Sequence, residues 1–229
     1  MLEWVRSMNK TLTTVYVTHG HGDHFFGLNQ VLAGYPDAKA VALPKVVPFA
    51  QNQVEPGFMA FWNRLFPNQI PQTPLVPQPM EGDVINLEGH EIRPVMVGQS
   101  DTQPSSVVHV PDLGAVVGGD VAYNGIHCRL AQTDHDKRER WIDALDTIAS
   151  LRPKVVVAGH KDPNARDDDP DAILSATKTY IRDFDKAVRQ SRSPQALIDT
   201  MMRLHGERGN PWTLWTAADE VKEQLVAAV

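Results

Sequence analysis

The run Thr18-His19-Gly20-His21-Gly22-Asp23-His24 narrows the possible folds of this chain more than any other stretch. It packs three imidazoles and a carboxylate into six positions, a density that core packing does not demand. Residues 13–18 before it, Thr-Thr-Val-Tyr-Val-Thr, are β-branched or aromatic throughout and read as a buried strand. Residues 24–33 after it carry Phe25, Leu28, Val31 and Leu32 at helical spacing. The order is therefore strand, turn, helix. Imidazole nitrogen and carboxylate oxygen are donors that zinc and similar divalent ions accept, and the alternating glycines let the backbone curl so that neighbouring side chains converge. On this reading His19 and His21 reach one ion while Asp23 and His24 project towards a second. The competing reading is a flexible His-Gly surface turn.

The rest of the chain continues the alternation of strand and helix. Residues 2–9 read as the end of an amphipathic helix, with Leu2, Val5 and Met8 on one face, and residues 40–43 as a short strand that Pro44 ends. Residues 44–80 change texture. Aromatics (Phe49, Phe58, Phe61, Trp62, Phe66) come first and prolines (Pro67, Pro71, Pro74, Pro77, Pro79) second, which predicts a helical insertion followed by an extended loop. The aromatics either pack on the core or, in the case of Phe61 and Trp62, shape a substrate pocket. Four strands follow, at 84–87 and 91–97 joined by a turn at Glu88-Gly89, and at 106–110 and 115–117 joined by a hairpin turn, and four in a row are expected to pair antiparallel. A helix over 137–151 and a buried strand over 154–158 precede helices at 171–189, 194–204 and 216–226, with 171–229 as a helical C-terminal extension. The pattern implies one α/β layered domain spanning residues 1–229.

At this point the sequence resembles the metallo-β-lactamase superfamily, whose H-x-H-x-D-H hallmark is matched by His19, His21, Asp23 and His24. Gly118-Gly119-Asp120 resembles the end of the strand that carries the family's bridging aspartate, and Gly159-His160 that of its last histidine. The resemblance implies an α/β fold of αββα sandwich type. It also implies one or two divalent ions, zinc or another metal, with His19 and His21 on the first ion, Asp23, His24 and His160 on the second, and Asp120 between them. Asp23 and Asp120 would then be the catalytic carboxylates of a hydrolase that uses a metal-activated water to cleave an ester, lactone, lactam or thioester. The alternative is a degenerate, non-catalytic relative that serves as a binding or assembly subunit.

Two departures qualify the resemblance. Gln99, in Gly98-Gln99-Ser100-Asp101-Thr102, stands where the family supplies a further histidine, and a carboxamide oxygen is a poorer zinc ligand than imidazole. Asp101 reads either as a substitute ligand or as a turn residue. About a dozen residues precede the motif where the family builds several strands, so the first sheet is expected to lack strands and to leave an uncovered edge; either the chain forms a homo-oligomer through that edge or the recorded start is a shortened version of a longer one.

Other residues read less sharply. His127 is a candidate pocket or ligand-supporting residue, with a structural histidine as the equal alternative. His109 alternates within a strand and reads as structural, His90, His135 and His205 show no partners in sequence, and Cys128 reads as a small buried hydrophobe. Asp167-Asp168-Asp169 reads as a solvated loop leading into a helix N-terminus. Composition closes off some classes. With 22 Lys+Arg against 28 Asp+Glu the formal charge is −6, which disfavours nucleic acid and anionic lipid as partners and leaves a small-molecule substrate. No apolar run reaches membrane-span length and a single cysteine permits no internal disulfide, so a cytoplasmic, membrane-free location is expected.

Overall fold

Alternation of strand and helix is what the backbone adopts, in a computed structural model that describes residues 2–225. The chain divides into two compact units, Met1–Asp83 and Val84–Val229. In the first unit, helix α1 (Leu2–Ser7) and strand β1 (Thr14–Tyr16) lead to a 3-10 turn at Gly22–His24. Helix α2 (Leu28–Gly34), strand β2 (Lys39–Ala42), helices α3 (Val47–Gln53) and α4 (Pro56–Leu65) and the short strand β3 (Gln78–Pro79) follow. The three strands form one sheet in the order β1-β2-β3, all neighbours parallel. Parallel neighbours need a crossover, and α2 provides the one between β1 and β2.

The helix after the histidine loop begins later than its periodicity suggests. Gly22–His24 is a 3-10 turn, and α2 starts only at Leu28. The aromatics of residues 44–66 do not fill a core. Among the described residues of α4 none is buried, and Phe61 and Phe66 are 37% and 44% exposed. They shield one another instead. Trp62 pairs edge-on with Phe26 and Phe61 at centroid separations of 5.6 and 5.7 Å and stacks on Phe66 at 6.0 Å. The proline segment is also not all loop, since Gln78 and Pro79 pair with Val41 and Ala42.

The second unit holds the main core. Strands β4 (Ile85–Leu87), β5 (His90–Gly98), β6 (Ser105–Val110), β7 (Ala115–Asn124) and β8 (Val155–Lys161) form a sheet in that order. The first four pair antiparallel, β4 with β5 and β6 with β7 through tight turns and β5 with β6 through the longer loop 99–104. Glu88 and Gly89 both take positive φ, the geometry of a two-residue hairpin, and Gly114 at φ 57° closes the β6–β7 connection. Helix α5 (His135–Ser150) carries the chain across so that β8 joins β7 in parallel. Its start is capped by Asp134, which accepts from the Lys137 N–H at 2.8 Å, and its apolar face buries Trp141, Leu145 and Ile148 completely. Trp141 also donates its indole N–H to the Val121 carbonyl at 2.9 Å, tying helix to strand.

Helix α6 (Pro170–Gln190) is capped by Asp169 and helix α7 (Pro194–His205) by Ser193, each with proline in the first turn; Leu174, Ile181, Phe184 and Val188 of α6 all face inward. The last helix, α8 (Pro211–Glu220), starts and stops earlier than residues 216–226, and Val226 lies outside the described residues. The α/β architecture with its eight helices among the described residues is thus the expected one.

Strand length is where the sequence misleads. The expected strands over 115–117 and 154–158 run on through Asn124 and Lys161, so Asp120 lies inside β7, while His160, the last but one residue of β8, stands at its strand's end as expected. Gly118-Gly119 and Gly159 are not stop signals. The β7–β8 register shifts between Val117 and Gly119 and again between Gly119 and Tyr123, and the glycines let the two backbones close in at that irregularity.

Candidate metal centre

In the first unit the histidine loop is held by the elements packed around it. A Cβ at Gly20 would fall 2.6 Å from the Ala50 nitrogen and from the Phe49 ring, and one at Gly22 would fall 2.5 Å from Phe26 and 3.0 Å from Trp62. The glycines are therefore required for close approach by α3 and by the aromatic ladder, beyond any freedom of φ they confer. The result is a compact set of donors. His19 and His21 are buried with rings 5.2 Å apart, His19 and His24 lie 4.1 Å apart, and His24 Nε2 stands 3.5 Å from an Asp23 carboxylate oxygen. Thr18 Oγ1 sits 3.1 Å from His19 Nδ1, an orienting contact of the kind that fixes a ligand's tautomer and leaves Nε2 as its donor atom. Trp62 reaches this loop at Gly22, while Phe61 stands farther out on α4.

In the second unit Asp120 is 3% exposed on β7, and His160 on β8 points its Nε2 to within 3.3 Å of Asp120 Oδ2. The same oxygen accepts from the Tyr123 hydroxyl at 3.0 Å. Residues three apart in a regular strand face opposite ways, so this contact depends on the register shift between Gly119 and Tyr123. Tyr123 pairs with His160 across β7–β8, and their rings stack at 5.6 Å. Burial, followed by the negative charges of Asp120 and Asp101, holds the Tyr123 phenol well above its ordinary pKa, which keeps it a donor to the carboxylate. Sequence reading passes over Tyr123, because its role exists only in the bulged register.

The loop after β5 is equally ordered. Gly98 at φ 88° turns the chain, Gln99 donates its amide N–H to the Ser100 carbonyl at 2.8 Å, and Gln99 Oε1 is buried with no hydrogen-bond partner among the described residues. Asp101 is fully buried; Ser100 Oγ donates to its Oδ1 at 3.0 Å and itself lies 2.6 Å from Ser105 Oγ. Gln99, Asp101, Thr102, Gln103, Gln132 and Lys137 line a cleft of ≈ 260 Å³.

The remaining candidates lie elsewhere. His127 is fully buried, its Nδ1 2.9 Å from the Tyr180 hydroxyl. Three histidines without sequence partners gain carboxylates: His90 with Asp112 at 2.6 Å, His135 with Asp185 at 3.1 Å and His205 with Asp183 at 2.9 Å. His109 sits in β6 opposite Arg93 and Val116. Cys128 is fully buried, and burial pushes its thiol up to about 12, so it packs as a hydrophobe and is no nucleophile at neutral pH. In the aspartate run, Asp167 pairs with Lys161, Asp168 with Arg166, and Asp169 caps α6.

A divalent cation suits this donor chemistry. His19, His21, Asp23 and His24 in the first unit, and Asp101, Asp120 and His160 in the second, offer imidazole nitrogen and carboxylate oxygen, the mixture borderline divalent ions prefer. The buried, unsatisfied Gln99 Oε1 is a further oxygen suited to a cation or a donor group. Among the described residues no helix is long and apolar enough to cross a membrane.

Solved structures share the fold at low identity. A β-lactamase domain protein from Burkholderia ambifaria superposes with a TM-score of 0.66 at 15% identity, covering 96% of this chain and 73% of that one. A metallo-β-lactamase family protein from Thermus thermophilus gives 0.60 at 15% identity, over 93% and 75%. A metallo-β-lactamase from Pontibacter korlensis gives 0.56 at 19% identity, over 79% and 74%. Comparison with curated proteins finds no match. The family model described as the metallo-β-lactamase superfamily matches residues 1–160, which span the histidine loop, Asp120 and His160. By that match, and by the fold it shares with these structures, the chain belongs to the metallo-β-lactamase superfamily.

Proposed function

We propose that this protein is a metal-dependent hydrolase of small-molecule esters, lactones, lactams or thioesters. The observation that carries the reading is the donor set His19, His21, Asp23 and His24, joined in sequence by Asp120 and His160, in a chain of this superfamily. In this proposal His19 and His21 would hold a first ion and Asp23, His24 and His160 a second, with Asp120 a ligand to both. A bound zinc, or a similar divalent ion, supplies Lewis-acid polarisation and makes water acidic enough to attack near neutral pH.

The chain's own residues do the rest. Asp120 orients the attacking water, with the Tyr123 hydroxyl fixing the carboxylate in place. Asp23 is exposed enough to exchange protons with solvent, its side chain being 39% accessible. Phe61 and Trp62 offer an apolar wall to the acyl part of a substrate, and Gln99 Oε1 an acceptor for a substrate N–H or O–H. His127 would act from behind the pocket, through Tyr180. The negative formal charge favours small molecules over nucleic acid, and a cytoplasmic location belongs to the same proposal.

Elemental analysis of the purified protein, followed by a panel of ester, lactone, β-lactam and thioester substrates, tests the reading. One or two zinc ions per chain are expected, with turnover that a chelator abolishes and zinc restores. Metal without turnover across the panel supports the non-catalytic alternative, for which Gln99 in place of a histidine is the one specific observation. Absence of both metal and turnover removes the hydrolase reading altogether. The edge position of β1 in its sheet motivates the homo-oligomer. Light scattering on the eluting protein is expected to give at least a dimer, and a monomer at all concentrations removes that proposal.

A further inference from the structure

We propose that the cleft of ≈ 260 Å³ in the second unit is a binding site for a small amino-carboxylate, a free amino acid or short peptide whose amine enters first and whose carboxylate stays at the mouth. As the class of substrate this rests on the proposed hydrolase; as a binding site it does not. Every residue that lines the cleft, Gln99, Asp101, Thr102, Gln103, Gln132 and Lys137, belongs to the second unit. At roughly 30 Å³ for each water the volume holds about nine of them, enough for a dipeptide.

The floor of the cleft asks for donors. Gln99, Asp101 and Thr102 are buried, whereas Gln103 and Gln132 are exposed and the Lys137 side chain is 41% accessible. The Gln99 amide is oriented by its own loop: Nε2 donates to the Ser100 carbonyl at 2.8 Å, and turning the amide over would set oxygen against oxygen there. That leaves Oε1 as a buried acceptor with no hydrogen-bond partner among the described residues. A buried acceptor left unmet is costly, so a ligand N–H that reaches it gains more than it would at the surface. Asp101 adds a carboxylate to the same floor. Ser100 Oγ donates to its Oδ1 at 3.0 Å, and since a carboxylate accepts several hydrogen bonds at once, this contact orients the group and leaves it capacity for another. The loop is held in turn, with the Thr102 carbonyl accepting from the Ser100 N–H at 2.8 Å and from Ser105 Oγ at 3.1 Å. A fixed acceptor and a fixed anion on one floor suit a protonated amine.

The mouth carries the opposite charge. Lys137 stands in the first turn of α5 with its Nζ donating to the Gln132 carbonyl at 3.1 Å, and the Gln103 and Gln132 carboxamides add neutral donors. Asp134 competes for this ammonium, but at 4.0 Å it is too far for a hydrogen bond, and at 55% exposure it is well hydrated. A cation above and an acceptor pair below give the cleft the polarity of a zwitterion. The cleft is also coupled to the candidate centre, since the Asp101 charge helps hold the Tyr123 phenol, the donor to Asp120, above its ordinary pKa.

Glycylglycine, N-acetylglycylglycine and glycylglycinamide test the two ends separately on one unmodified protein. Chelator stays present, because a peptide amine would otherwise bind a metal ion directly. NMR titration of the metal-free chain is expected to show saturable binding of glycylglycine. The acetylated peptide, which has lost its charged donor, is expected to bind roughly tenfold more weakly or worse, and the amide, which has lost its partner for a half-exposed lysine, about threefold more weakly. Gln99→Glu is expected to tighten glycylglycine about tenfold and to leave the acetylated peptide no tighter, and Lys137→Met to erase the preference for the free peptide over its amide. Equal affinities for the three peptides overturn the proposal, as does the absence of saturable glycylglycine binding; both are read on wild type and need no variant to fold. A preference over the amide that survives Lys137→Met overturns it too. None of these outcomes bears on the hydrolase, because the titration is metal-free. Conversely, a wild-type protein that binds the peptide as expected but shows neither metal nor turnover keeps the site and loses the hydrolase.

Discussion

Gly159→Ala is expected to lower the stability of the protein by about 3 kcal/mol and to weaken its metal binding at the same time. The added methyl group would lie 2.5 Å from Asp120 Oδ1, 2.7 Å from the Gly119 carbonyl carbon and 2.8 Å from the Gly119 oxygen. Two of these three neighbours are backbone, which cannot swing aside as a flexible side chain would, so the cost belongs at the upper end of the overpacking range. The third is the carboxylate that Tyr123 and His160 hold. Relief of the clash must therefore either part β7 from β8 at their irregular register or push Asp120 off its partners. Urea unfolding with chelator present isolates the stability loss, and zinc competition measures the displacement of Asp120. Gly57→Ala is the control: nothing lies within 4 Å of a Cβ there, the position is in α4, and the change is expected to be neutral or stabilising by a few tenths of a kcal/mol. A Gly159→Ala protein as stable as wild type, with unchanged zinc affinity, would sink the claim that strand packing sets the Asp120 position.

That glycine also shows where sequence reading reaches its limit. Gly118-Gly119 and Gly159 look like punctuation along the chain and so predict strand ends. In the fold they mark the place where two strands approach too closely for any Cβ, which is a property of the β7–β8 pair and not of either segment. Tyr123 is invisible in sequence for the same reason, because its hydrogen bond to Asp120 needs a register shift that no local pattern encodes. The histidine loop is legible because metal chemistry needs donors at high local density, and that density is written within six consecutive residues.

Helices α5, α6 and α7 are legible because their caps, Asp134, Asp169 and Ser193, and their apolar stripes are local features. Periodicity misplaces helix α8, since its N-cap, Asn210, sits in the left-handed region at φ 53° and caps with no side-chain hydrogen bond. The aromatics of α4 mislead in the other direction. Apolar composition predicts burial on average, yet a short helix can satisfy its rings against one another while leaving them partly exposed, as Phe61 and Phe66 are. The partners of His90, His135 and His205 are remote carboxylates, and only the fold brings them together.

His127 supplies the second large effect, a loss of stability on acidification that a single substitution should remove. The ring is fully buried beside Tyr180, whose hydroxyl lies 2.9 Å from Nδ1, and its Nε2 has no hydrogen-bond partner among the described residues. Burial first, then the positive charges of Arg208 and His205, lower its pKa from 6.5 to about 4, with Glu207 opposing weakly. A histidine with a depressed folded pKa is neutral in the fold over a pH range in which the unfolded chain already binds the proton. Stability is therefore greatest above pH 6.5 and declines as pH falls from there to about 4, where the folded state also protonates. A shift of about 2.5 units corresponds to roughly 3 kcal/mol across that window. Urea unfolding in the presence of chelator, which removes any contribution from metal release, is expected to show this decline in wild type. It should be largely absent in His127→Gln, whose amide can still meet the Tyr180 hydroxyl and does not titrate. Parallel pH profiles for the two proteins would show that His127 is already protonated in the fold, or that its cavity admits enough water to solvate the charge.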